Sequence, residues 1–166
     1  MKKRAKNLPG FTLIELLIYM GIFMGFLVIL SGLFVSTLEV QNEASQTARI
    51  EQDSHYVYTR MQYDISRATT LTTPATNGET AATLVLSVAE GEIIYTLSNG
   101  KIMLSLDGDT PQPLTSPEIV VTQLSFQKLG NQDGVASIRV HIQLESNPVG
   151  SFSPEIRDLT YTFGMR

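Results

Sequence analysis

The 166-residue chain has no cysteine, no tryptophan and only two histidines, His55 and His141. Without thiols there is no disulfide framework, no thiolate zinc site and no cysteine nucleophile. Two isolated imidazoles leave little material for a histidine-rich metal site. Basic residues are also few: twelve Lys and Arg against sixteen Asp and Glu give a net charge of −4. That balance does not suit a dedicated nucleic-acid module, and beyond residue 10 the cations are dispersed with no basic-aromatic stripe. No direct nucleic-acid partner is expected. At 43% hydrophobic residues the chain is too apolar for disorder, and its length fits about one domain.

Catalytic signatures are absent as well. There is no GxSxG elbow, Walker loop, HExxH helix or EF-hand loop. Asp107-Gly108-Asp109 offers oxygen ligands of the type calcium takes, but the remaining ligands at proper spacing are missing, so it reads as a turn. Glu90 and Glu92 around Gly91 read as a solvated turn. No catalytic residue, metal ligand or cofactor is assigned, and the chain is expected not to be an enzyme.

What is present is sharply divided. Residues 1–10 carry Lys2, Lys3, Arg4 and Lys6 and no acid; without them the chain has eight basic and sixteen acidic residues. From Leu16 to Leu38 there are 23 residues without a charge. As a helix that run covers roughly 35 Å, enough for a ~30 Å hydrocarbon core. It is longer than a secretory h-region and no small-residue cleavage site follows it, so it reads as retained. The cations before it, and Glu39, Glu43, Glu51 and Asp53 against only Arg49 after it, orient the segment. The positive-inside bias puts residues 1–10 in the cytoplasm and everything after about Leu38 outside. Inner-membrane anchoring in contact with lipid is the expected location.

Glu15 breaks the apolar pattern. A carboxylate in lipid costs several kcal/mol unless neutralised or paired. Either it lies shallow and snorkels to the headgroups, or it awaits a positive partner within the bilayer.

The segment Leu8-Pro9-Gly10-Phe11-Thr12-Leu13-Ile14-Glu15-Leu16-Leu17 resembles the prepilin signature of type IV pilins and type II secretion pseudopilins. The match is tight over residues 1–35 and looser beyond. The resemblance implies cleavage between Gly10 and Phe11 by a prepilin peptidase, N-methylation of Phe11 by the same enzyme, and Glu15 as fifth mature residue. In that family the glutamate registers subunits against the N-terminal amine of a neighbour. The implied partners are the prepilin peptidase/N-methyltransferase, other pilins or pseudopilins and the inner-membrane assembly platform. Cleavage creates an amine one helical turn from Glu15, so processing would switch on the assembly contact. Gly21, Gly25 and Gly32 fall close to one helical face; they let helices approach closely, or they reflect the general frequency of glycine in membrane helices.

From Ser36 to about Ala68 there is no Pro or Gly, and Ile50, Ser54, Val57, Met61, Ile65 and Ala68 recur at helical spacing. The spacing predicts one helix from Phe11 to about Ala68, 58 residues or roughly 87 Å, with His55 on its solvated face. Thr69–Gly78 reads as a loop. Strands are predicted at 82–88, Glu92–Ser98, Lys101–Leu106, Ile119–Lys128, Val135–Glu145 and Asp158–Phe163, with Asn99-Gly100 as a hairpin turn. Ile138, Val140, Ile142 and Leu144 alternate with Arg139, His141, Gln143 and Glu145, so one face is buried and His141 points to solvent.

The expected fold is α+β: a long N-terminal helix, half membrane-spanning and half amphipathic, packed on a small antiparallel sheet domain, as in pilins. The divisions are a leader (1–10), a membrane and assembly helix (11–38), its amphipathic half (39–68) and a β-rich periplasmic or extracellular domain (69–166). The strand pattern and the helix end Arg60–Ala68 are similar to those of J-type minor pseudopilins and minor pilins. The function this implies is a minor structural subunit of a type IV pilus-like or type II secretion filament. The rival reading is a membrane-anchored binding or adhesion module outside any filament, which would depend on neither Gly10 cleavage nor Glu15.

Overall fold

The computed structural model describes residues 10–130, 136–147 and 153–165. Residues 1–9, which hold the basic leader cluster, lie outside them, as does Val135. Helix α1 runs Leu13–Arg67 and the chain then forms nine strands, an α+β architecture with a long N-terminal helix packed on antiparallel sheets. The contacts divide into two units, 1–43 and 44–166.

The helix starts two residues later than Phe11 because Thr12 caps it. Its hydroxyl accepts the Glu15 N–H at 3.3 Å and its carbonyl accepts the Leu16 N–H at 3.2 Å. The helix ends one residue before Ala68, whose N–H closes a tighter final turn onto the Ile65 carbonyl at 3.3 Å. In the first unit the large apolar side chains from Leu13 to Val40 are exposed. Ser31 and Thr37 donate to the carbonyls of Leu27 and Leu33, each at 2.9 Å. Their hydroxyls therefore need no water.

In the second unit the strands are β1 (Thr70–Thr73), β2 (Thr80–Ala81), β3 (Leu84–Val88), β4 (Gly91–Ser98), β5 (Lys101–Leu106), β6 (Gln112–Pro113), β7 (Ile119–Leu129), β8 (Ser137–Ser146) and β9 (Ile156–Gly164). They form two sheets, β1-β3-β4-β5-β6 and β2-β7-β8-β9, every pair antiparallel. The expected antiparallel sheet domain is thus built from two sheets. The segment Thr69–Gly78 is not wholly a loop: Thr70–Thr73 pairs with β3. Its four residues are too few and too polar to declare a periodicity.

The predicted helical stripe is the helix's contribution to the core: Ile50, Ser54, Val57, Met61, Ile65 and Ala68 are all buried. Against them lie Leu84, Leu86, Ile93 and Ile102 of the first sheet, and Phe126, Ile138, Val140, Ile142 and Leu144 of the second. On β7 Val121 and Leu124 are both buried although three residues apart, an odd spacing that a regular strand would send to opposite faces. A register shift between Val121 and Gln123 restores the phase. The Asn99-Gly100 turn has φ of 51° and 68°, both left-handed as a two-residue hairpin requires. Gly91 is a closer constraint. At φ 140° a Cβ there would sit 2.5 Å from Asp107 Oδ1.

Polar groups tie the helix to both sheets. Asp64 is fully buried. Its Oδ2 accepts the Tyr95 hydroxyl at 2.6 Å and Arg60 Nε at 2.8 Å, while Arg67 Nη2 lies 3.3 Å from Oδ1. Burial first, then the bond to Asp64, pushes the Tyr95 phenol far above its usual value of 10. Arg67 also reaches Glu90 at 3.1 Å, an exposed residue of the turn before β4. Toward the helix's middle, Thr47 donates to Glu155 Oε2 at 2.6 Å and Arg157 Nε donates to Glu155 Oε1 at 3.1 Å. Ser146 donates to Gln46 at 2.6 Å and accepts the Glu155 N–H at 2.8 Å.

Tyr95→Phe removes the phenol donor from a buried carboxylate. Chemical unfolding of the variant should show a loss of about 1–3 kcal/mol, with no change in secondary structure by circular dichroism. The Thr47 hydrogen bond, aided by Arg157 and opposed by desolvation, lowers the Glu155 pKa from its usual 4.5. The unfolded chain therefore takes up this proton first as the medium acidifies. Stability from Glu155 is complete above pH 4.5 and disappears as pH falls through the depressed folded value. Melting curves across that window should show a shallower acid slope for Glu155→Gln than for the parent.

Candidate functional site: the start of the helix

Gly10, Phe11 and Thr12 precede the first helical residue, and Glu15 follows in the first turn. An acid there faces the positive end of the helix dipole, which is one local reason for its presence. The spacing Thr12-x-x-Glu15 is that of a capping box, yet the Glu15 side chain turns to Tyr19, whose hydroxyl donates to Oε1 at 3.3 Å. Tyr19 also meets the Phe11 ring edge-on, centroids 6.1 Å apart. Phe11, Glu15 and Tyr19, four residues apart, thus line one face at the helix start. Tyr19 was absent from the predicted site residues; its spacing from Glu15 was the available signal.

Glu15 is half-buried, whereas Phe11 is 75% exposed and Tyr19 53%. A long neutral hydrogen bond from a phenol leaves a carboxylate poorly compensated in an apolar medium. The sequence offers no local cation either, because no Lys or Arg occurs between Lys6 and Arg49. The side-chain chemistry is an exposed aromatic next to an under-compensated anion at the head of an apolar rod. It suits recognition of a cation in low dielectric.

Gly21, Gly25 and Gly32 lie on the same rod, and a Cβ at any of them would meet no atom within 4 Å. Among the described residues nothing demands glycine at these positions. The open space is available for close approach by another helix.

Elsewhere, the sheets gather groups that sequence alone scatters. Strand register sets Ser125 opposite His141 and His141 opposite Thr160. His141 stands on the outer face of β8, where the alternation places it, and its Nε2 lies 2.5 Å from Asp158 Oδ1. Among the described residues no hydrogen bond joins Ser125 to His141, and that contact is what nucleophilic catalysis by such a trio uses. No sequence signal reveals this row, since it depends on the pairing of three strands.

His55 is exposed, as its place opposite the buried stripe implies. Asp107-Gly108-Asp109 is a tight turn: Asp107 and Gly108 have φ of 48° and 81°, and Asp109 N–H bonds the Leu106 carbonyl at 2.8 Å. Among the described residues no group of three or more His, Asp or Glu is arranged to hold a metal ion. No family model, curated protein or solved structure matches the chain.

Proposed function

We propose that the chain is a minor structural subunit of a type IV pilus-like or type II secretion filament. It is held in the cytoplasmic membrane by residues 11–38, trimmed between Gly10 and Phe11, N-methylated on Phe11, and assembled by lateral packing of its N-terminal helix. The observation that carries the reading is Glu15. It is an under-compensated carboxylate one turn into a helix whose next 23 residues are uncharged. A carboxylate so placed is stabilised by a cation, and cleavage before Phe11 generates one at the N-terminus of every processed chain. A neighbour's amine satisfies Glu15 where a mispositioned subunit does not, so the pairing sets the axial register.

The exposed apolar surface from Leu13 to Val40 supports the reading in a coarser way, since the helix is long and apolar enough to cross a membrane. The glycine face supports lateral packing, because helices in lipid associate through close van der Waals approach. The sheet domain, closed around its own core, is then the extracytoplasmic part of the subunit. The prepilin peptidase and the membrane assembly platform are the partners this route requires.

Mass spectrometry of the protein recovered from membranes should find a chain beginning at Phe11 with one added methyl group. An unmodified chain that retains residues 1–10 overturns the reading. Glu15→Gln should keep membrane insertion and cleavage while lowering recovery in sheared filaments at least tenfold, the expectation for losing a buried charge partner worth more than about 1.4 kcal/mol. Undiminished incorporation would remove Glu15 from the assembly contact, whereas absence of the parent chain from sheared filaments would favour a tethered binding domain. Gly25→Leu should reduce incorporation with no effect on the unfolding of the sheet domain.

A further inference from the structure

The sheet edges differ in how they are protected. β1, β2 and β6 close their sheets with four, two and two residues, and β6 includes Pro113. Short strands and prolines are how proteins blunt an edge against foreign strands. β9 has neither. It is nine residues long, contains no proline or lysine, has its two charges drawn to groups of its own chain (Arg157 to Glu155, Asp158 to His141), and among the described residues pairs with β8 alone.

Two hydrogen bonds fix which of its main-chain groups are free. Ser146 N–H donates to the Glu155 carbonyl at 2.9 Å, and Met165 N–H donates to the Ala136 carbonyl at 3.0 Å. In an antiparallel ladder these bonds recur at every second residue, so the odd-numbered residues of β9 bond β8. The N–H and C=O of Ile156, Asp158, Thr160, Thr162 and Gly164 point away, and their side chains lie on the exposed face. Arg157, Leu159, Tyr161 and Phe163 alternate inward.

We propose that the open edge of β9 docks a second copy of this chain by antiparallel strand addition, β9 on β9, centred on Thr160. In that register the two copies overlap completely and set no like charges opposite each other. Centred on Thr160, all nine residues overlap, and each one-residue shift of the centre removes two from the overlap. Asp158 then faces Thr162 of the second copy, and Leu159 faces its Tyr161, an apolar pair on the inner side. Centring on Asp158 instead sets two carboxylates opposite each other. Arg157, held on its own chain by Glu155, lies opposite Phe163 of the second copy. The proposal rests on strand register and does not require the filament reading: a tethered domain would pair by the same edge.

The absence of native cysteine makes the test clean. Full-length Thr160→Cys, expressed in membranes and oxidised, should give a reducible dimer at twice the chain's mass. Hydrogen-bonded antiparallel partners have Cα atoms about 5.5 Å apart, within disulfide range. Thr162→Cys should cross-link at least tenfold less, because the same register separates its two copies by about 14 Å. Co-expressed Asp158→Cys and Thr162→Cys chains should favour the mixed adduct over either self-adduct. These sites are exposed, so the core is untouched in each variant. Absence of the Thr160→Cys dimer, equal dimer from Thr162→Cys, or an adduct of any other mass overturns the proposal.

Discussion

Met61 and Ile65 have no solvent exposure, although each sits on a helix whose opposite side is polar. The helix can bury them only by lying against something, and the sheets can close their own inner faces only by accepting it. Each such side chain is worth roughly 1.5–3 kcal/mol on burial. That mutual covering of one helical stripe by two sheet faces is the constraint from which the rest of the domain follows. It explains why β7 needs its register shift, since a strand kept in regular phase would turn either Val121 or Leu124 away from the helix.

Apolar contact alone does not fix how far the helix slides along the sheets. Directional contacts do. Asp64 gathers Arg60, Arg67 and Tyr95 at one end of the domain, while Thr47, Glu155 and Arg157 meet at the other. Between them Asp53 accepts the Ser116 N–H at 2.7 Å. Lys101 donates to the carbonyls of Ser116 and Ile119, holding the proline-bearing connection against the first sheet. A buried carboxylate with tyrosine and arginine partners contributes less to net stability than to choosing one arrangement, because displacing it leaves several polar groups unsatisfied together.

The parts of this fold that the sequence displays are those with a period. The stripe Ile50 to Ala68 and the alternation Ile138 to Leu144 are visible because burial repeats with the backbone's own geometry. The Asn99-Gly100 turn is visible because two consecutive left-handed residues restrict composition. Thr70–Thr73, Thr80–Ala81 and Gln112–Pro113 are too short for any period, and the division into two sheets resides in pairings between distant strands. Asp64 shows the same limit. It stands one residue from Ile65 and reads as part of a polar face, and its burial becomes tolerable where Tyr95 arrives from β4 beside Arg60 and Arg67. At the helix start the motif Gly10-Phe11…Glu15 is legible as a string, whereas the turn of Glu15 toward Tyr19 is a matter of side-chain rotamer.

The Thr12 cap has a consequence for covalent change at the head of the helix. The amide linking Gly10 to Phe11 stands outside the helical ladder, and among the described residues no i-to-i−4 bond spans it. Its hydrolysis would therefore leave the first turn intact, with Thr12 still holding the Glu15 N–H. A backbone threaded into a helix must unwind before a peptidase can grip it in extended form; this one is already uncoiled at that linkage. The rod beyond would emerge from trimming with its geometry unchanged and only its terminal charge altered.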